Sequence, residues 1–148
     1  TPGAQGATGP RGPSEVLYTR KDAEPVATTC STYTTILSLT LPAGTWLLTG
    51  SADMVDFDPA ANAGHLARAV LYVGPSRQDD SVRHVLLPGS SLPGQVAPVS
   101  GVTTQQVVTT TAPSTAVSLR ACRLYSASVQ AVKPSLHALA LGSATQQP

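Results

Sequence analysis

Four glycines stand in strict register at the start of the chain, at Gly3, Gly6, Gly9 and Gly12. The triplets they open read Gly-Ala-Gln, Gly-Ala-Thr, Gly-Pro-Arg and Gly-Pro-Ser. Where three polyproline-II strands wind about one axis, only a residue without a Cβ fits at the crossing, so a period of three marks the collagen triple helix. Pro10 and Pro13 follow glycines and pre-set the extended backbone. Arg11, third in its triplet, can reach a neighbouring chain's carbonyl. A flexible Gly/Pro linker has no reason to keep this register, and the other eight of the twelve glycines do not keep it. Three chains are obligatory for such a helix. Four triplets cannot hold them together alone, so the segment is expected to continue upstream or to be held by a domain downstream. The chain opens in mid-repeat without a Met, and is expected to be a piece of a longer protein whose signal, anchor or virion-attachment region lies elsewhere.

From Ser14 the period of three stops and a different pattern begins. Short β-type runs recur every ~8–12 residues between Pro, Gly, Asp, Asn and Ser clusters, the spacing of sandwiches and jelly rolls. Candidate strands cover 15–19, 26–30, 33–41, 45–57, 65–73, 82–87, 102–111, 116–125, 128–132 and 135–141. In 33–41, Leu37, Leu39 and Leu41 alternate with Ser38 and Thr40, and in 45–57 Trp46, Leu48, Ala52 and Met54 share one face. Such alternation predicts strands with one dry side. Pro42-Ala43-Gly44 between them reads as a tight turn. Pro134 divides the last two runs and predicts a bulge or an edge position. No stretch carries a 3.6-residue amphipathic period. The expected domains are therefore a stalk end at 1–13, an all-β head at 14–142 built as an antiparallel two-sheet jelly-roll-like sandwich, and a disordered tail at 143–148.

Composition closes off several classes of function. Only 11% of residues are charged and the net charge is +1, with no basic block to neutralise phosphates, so no nucleic-acid partner is expected. No run of ~18 apolar residues is present, hence no membrane insertion through a helix.

The chemistry-bearing residues are scattered. His65, His84 and His137 fall in different candidate strands with no companion at ligand spacing. Two cysteines, Cys30 and Cys122, are too few for a disulfide scaffold or a structural zinc site; in an extracellular protein they form one bridge, and otherwise they read as two small buried residues that never meet. The one metal candidate is a Ca²⁺ set of Asp53, Asp56, Asp58 and Asn62, since that ion takes oxygen ligands from flexible loops. Its spacing matches no EF-hand, and a solvated loop is the plainer reading. No cofactor is expected. Among the aromatic residues, Trp46 and Tyr72, with Leu37 and Leu39, read as anchors of the core or of a trimer contact, alongside Tyr18, Tyr33, Phe57 and Tyr125.

The layout resembles the collagen-like (Gly-X-Y) fibre proteins of bacteria and bacteriophages. It is similar in architecture to the trimeric heads of complement and tumour-necrosis-factor type. The resemblance rests on Gly3 to Gly12, on Leu39-Thr40-Leu41-Pro42-Ala43-Gly44-Thr45-Trp46-Leu47-Leu48, on Val117-Ser118-Leu119-Arg120-Ala121-Cys122 and on Val129-Gln130-Ala131-Val132. Lys133-Pro134 departs from it, because such domains run an unbroken strand there. The resemblance implies a homotrimer, an extracellular setting on a virion tail fibre or a bacterial cell or spore surface, and a receptor that is a cell-surface glycan or protein. The expected function is a fibre head that nucleates the stalk and presents loops for attachment. The alternative is a glycan-binding module on a bacterial surface protein. A polysaccharide-degrading enzyme fits less well, because the carboxylates (Glu15, Glu24 and six Asp) sit mostly in turns and form no obvious acid/base pair.

Overall fold

The computed structural model describes residues 15–57, 65–87, 99–124 and 128–142. The expectations for 1–13 and 143–148, and for Asp58, Asn62 and Tyr125, lie outside the described residues. Among the described residues ten strands follow one another: β1 (Val16–Arg20), β2 (Ala23–Pro25), β3 (Thr34–Leu41), β4 (Gly44–Asp56), β5 (His65–Val73), β6 (Ser76–Arg77), β7 (Arg83–Leu87), β8 (Val99–Thr110), β9 (Thr115–Leu124) and β10 (Val129–Leu141). A single 3₁₀ turn, Asp79–Ser81, precedes β7. Among the described residues there is no α-helix.

All strands pair antiparallel in two five-stranded sheets. The first runs β1-β10-β4-β8, with β2 continuing beside β10; the second runs β3-β9-β5-β6, with β7 also on β5. The pairs β1–β10, β3–β9, β4–β8 and β5–β7 join first strand to last and inner strand to inner strand. That is one long hairpin, rolled until β10 lies beside β4 and β9 beside β5. A jelly roll results, as the strand spacing predicts.

The two-residue period of the sequence does the sorting. In β8 the buried positions are Val102, Thr104, Val108 and Thr110, with exposed Thr103, Gln105, Val107 and Thr109 between them. The inner faces meet in a core of Ile36, Leu41, Leu48, Met54, Leu71, Leu87, Leu119 and Leu136, all fully buried. Gly50 lies where the sheets pack tightly: a Cβ there would stand 2.8 Å from Leu119 Cδ1 and 3.3 Å from Leu71 Cδ2. At the turn into β4, Gly44 has φ 154°, and the Trp46 indole N–H donates to the Pro42 carbonyl at 3.2 Å. Trp46 is therefore a core residue, tied to the turn that precedes it.

Two expectations need correction. The second strand is Ala23–Pro25 and not 26–30. After Val26, whose N–H still donates to the Val129 carbonyl, the chain leaves the first sheet and crosses to the second. The apolar content of 26–30 belongs to a crossing, which a two-residue period cannot separate from a strand. The runs at 128–132 and 135–141 are one strand, β10, with a bulge between Val132 and Ser135.

The bulge explains how Pro134 sits in an interior strand. Pro134 has no N–H for the ladder, and Lys133 beside it takes φ 48°, in the left-handed region. The neighbouring strand breaks at the same level, between β1 and β2. There Lys133 N–H donates to the Asp22 carbonyl and Lys21 N–H to the Pro134 carbonyl. Both strands kink together, and these two bonds carry the pairing across the break.

The sandwich has two unlike ends. The start of β1, the end of β10, and the short β3–β4 and β8–β9 turns gather at one end, as the pairings Val16 with Leu139, Leu141 with Thr45, and Gly44 with Thr110 require. The connections after Pro25, Asp56, Leu87 and Leu124 all leave from the opposite end.

Candidate functional site

The outer face of the first sheet is graded in composition. Val16, Leu139, Leu47 and Val107 lie side by side across β1, β10, β4 and β8. All four point away from the core, and Val16 and Val107 are 51% and 43% exposed. Contiguous apolar surface rimmed by polar residues is the kind that marks interaction sites. The next outward row reads Tyr18, His137, Thr49 and Gln105. The third reads Arg20, Ser135, Ser51 and Thr103, with the Ser51 and Ser135 hydroxyls 2.8 Å apart. Over about 14 Å of strand the face passes from aliphatic to aromatic to polar and cationic.

At its polar end the face opens into a cleft of about 860 Å³. Tyr18 and His137 form one wall as a stacked pair, with ring centroids 5.9 Å apart and planes at 19°. The β1–β2 corner and the β10 bulge form the other wall, contributing Arg20, Lys21, Asp22 and Lys133. Lys133 Nζ donates to Asp22 Oδ1 at 2.7 Å and Lys21 Nζ to Glu24 Oε2 at 2.9 Å. The Lys133 hydrogen bond, and then its charge, hold the Asp22 carboxyl below the usual aspartate range. Lys133 also borders a smaller cleft of about 260 Å³ beside Asp53 and Gly101.

The second sheet presents a different outer face. Cys30 and Cys122 are joined, with Cα atoms 4.8 Å apart, so the crossing segment is pinned to β9. Arg123 holds the same segment, donating through Nε to the Val26 carbonyl at 2.8 Å and through Nη2 to the Ala27 carbonyl at 3.1 Å. Tyr33 then packs on Tyr72, centroids 6.1 Å apart, and the Arg120 guanidinium lies 4.0 Å from the Tyr72 ring centre. Tyr72 is thus a covered residue of this outer face, while Leu37 is buried in the core and Leu39 packs against it. None of the four expected anchors lies in the apolar row. Sequence reasoning misses the row's own members because each is a single aliphatic residue on a different strand, aligned only by register.

Of the Ca²⁺ set, Asp53 and Asp56 lie among the described residues, and they face opposite ways. Strand alternation turns Asp56 into the sandwich with Met54 and leaves Asp53 exposed on the opposite face. Asp56 Oδ2 is hydrogen-bonded instead to His65 Nδ1, and both side chains are almost wholly buried. Among the described residues, no three His, Cys, Asp or Glu side chains come together as a metal site. The Asp56–His65 contact joins β4 to β5 between the sheets, a pairing nine residues apart that no local spacing rule reveals.

The fold and site together define a class: an antiparallel jelly-roll-like β-sandwich with one outer face sealed and one left bare among the described residues. No family description matches the sequence and no curated protein matches it. Among solved structures, the chain is similar to the infectious bursal disease virus VP2 subviral particle (TM-score 0.50, 16% identity, 86% of this chain and 33% of that one). It is also similar to the T13 particle of that virus (TM-score 0.53, 14% identity, 88% and 32%) and to its Gx strain (TM-score 0.50, 14% identity, 90% and 35%). At such identities the likeness is one of fold alone, a β-sandwich. The chain spans about a third of the length of these proteins.

Proposed function

We propose that this chain is the trimeric head of a collagen-like fibre, which registers three Gly-X-Y segments and presents its far end for attachment to a cell surface. The observation that carries the reading is the apolar row Val16–Leu139–Leu47–Val107. It begins at Val16, four residues after the last in-register glycine, Gly12. The collagen period demands three copies, and a second copy is the occupant that this face suits. Three weak helices gain register when a stable assembly holds their ends together, because tethering raises their effective concentration.

The polarity of the sandwich supports the same arrangement. The stalk side carries short turns, and the longer connections leave from the opposite end, where a receptor would be met. The Cys30–Cys122 bridge fits an oxidising, extracellular setting on a virion tail fibre or a bacterial surface. In this reading the head binds and assembles and performs no reaction; Asp56 and His65, its closest approach to a catalytic pair, face each other inside the sandwich.

Sedimentation of residues 1–148 at micromolar concentration tests the proposal. A trimer is expected. Leu47→Asp should yield a monomer with an unchanged far-ultraviolet spectrum. A monomeric wild-type chain would overturn the reading.

A further inference from the structure

We infer that the cleft beside the β10 bulge binds an acidic saccharide, a sugar ring bearing a carboxylate. This deepens the attachment reading by naming a ligand class, and rests on geometry separate from the trimer contact. The cleft's volume of about 860 Å³ falls within the ~300–1,000 Å³ usual for small-ligand sites. It lies on the half of the sheet away from the apolar row, so a second copy seated on Val16, Leu139, Leu47 and Val107 can leave it open.

Two features specify the ligand. The first is the stacked Tyr18–His137 pair. Tyr18 is 62% exposed, an unusual placement for a large ring that is held in a fixed stack by cross-strand register. A flat, rigid aromatic wall suits the apolar face of a pyranose while leaving the sugar hydroxyls wet. The second is the charge balance. Lys133 is matched by Asp22 and Lys21 by Glu24, but Arg20, which lines the same cleft, has no carboxylate partner among the described residues. A guanidinium offers a planar fork of donors that fits a carboxylate through two parallel hydrogen bonds. The Ser135 hydroxyl beside it can serve a ring hydroxyl.

The bulge is what builds the pocket. An unbroken β10 would run level with β1. The left-handed Lys133 and the paired β1–β2 break meet at this corner, and Lys133, Lys21 and Asp22 line the cleft there. The departure at Lys133-Pro134 from the fibre-head pattern thus coincides with the cleft.

Calorimetry on residues 1–148 decides the matter with three probes: a galacturonate tetramer, neutral maltotetraose and a poly(glycerol phosphate) chain. The galacturonate should bind, more weakly as salt is raised, and maltotetraose at least tenfold more weakly. Arg20→Gln and Tyr18→Ala should each reduce galacturonate affinity about tenfold or more, with the circular dichroism spectrum unchanged. Equal binding of the neutral tetramer, no binding of the uronate, or an unaltered Arg20→Gln variant would each overturn the inference. Binding of the phosphate chain without the uronate would overturn it too, since the aromatic wall would then be idle. Sedimentation of the same samples separates the two proposals: a trimer that binds no uronate refutes this one alone, and a monomer that binds it refutes only the trimer.

Discussion

The two sheets share one core yet finish their outer faces in opposite ways. Over the second sheet the protein uses its own chain: the crossing from β2 to β3 is fastened by Cys30–Cys122, held by Arg123, and ends with Tyr33 laid on Tyr72 under Arg120. Val70, which faces outward on β5, is fully buried. Over the first sheet nothing of the described chain is laid down, and Val16 and Val107 remain half-exposed. A single sandwich that spends a disulfide, an arginine and a tyrosine to cover one face, and leaves an aliphatic row across the other, separates the surface it needs sealed from the one it needs to offer.

Opening the sealed face should therefore cost the most. Cys30→Ser removes the bridge without hollowing the core, since Cys30 is only half-buried and Cys122 keeps its buried place. The bridge spans 92 residues of sequence, and chain-entropy arguments for closures of that size put the loss at about 4.6 kcal/mol. Urea denaturation measures it, and amide exchange should quicken first over 27–33 and not in β4 or β8. Next comes Asp56→Ala, which leaves His65 buried without its partner between the sheets; a loss of about 3 kcal/mol is expected. Equal quickening of exchange in β4 and β5 would confirm that this pair ties both sheets and belongs to neither face.

Much of this contrast is legible in the sequence and some is not. Alternation in 33–41 and 45–57 locates β3 and β4, because inward Leu37, Leu41, Trp46, Leu48 and Met54 leave a period-two trace that a sheet with one buried face must show. The crossing at 26–33 imitates a strand, since its apolar Val26 and Ala27 carry no sign that the chain is changing sheets. Pro134 announces a bulge, but its partner break between Lys21 and Asp22 cannot be read from either segment alone. The apolar row, the Tyr18–His137 stack and the Asp56–His65 pair exist only through register between distant strands. One-dimensional patterns reveal which side of a strand is wet, and never which residue stands beside it.

The core common to both sheets offers the next test. Gly50 faces inward from the first sheet against Leu119 and Leu71 of the second, and both leucines are fully packed. Gly50→Val would force the sheets apart or the leucines off their rotamers, at about 2 kcal/mol. Gly50→Ala should cost less, because only the end of Leu119 and, by a few tenths of an ångström, that of Leu71 must yield. If the valine variant also weakens the proposed trimer, the outer face of the first sheet depends on its curvature; if the proposed trimer persists, the two faces are energetically separate, as the contrast between them requires.

The smallest effect concerns the wall of the cleft. Asp22 and Lys133 clasp the β1–β2 break to the β10 bulge in open solvent, and the Lys133 hydrogen bond and charge lower the Asp22 carboxyl below its ordinary 3.8. A depressed aspartate adds stability that is fully present above its ordinary pKa and fades as pH falls through the lowered folded value, so any loss should appear only in acid below about pH 4. Exposed pairs of this kind matter little to global stability. The carboxyl signal of Asp22, followed by nuclear magnetic resonance, should titrate below 3.8 in the wild-type chain and return towards that value in Lys133→Gly. Glycine accepts the left-handed φ of 48° at that position, so the substitution deletes the cation while keeping the bulge. An Asp22 midpoint unmoved by Lys133→Gly would mean that the backbone bonds of the two kinked strands, and not the ion pair, set the shape of the wall on the bare face.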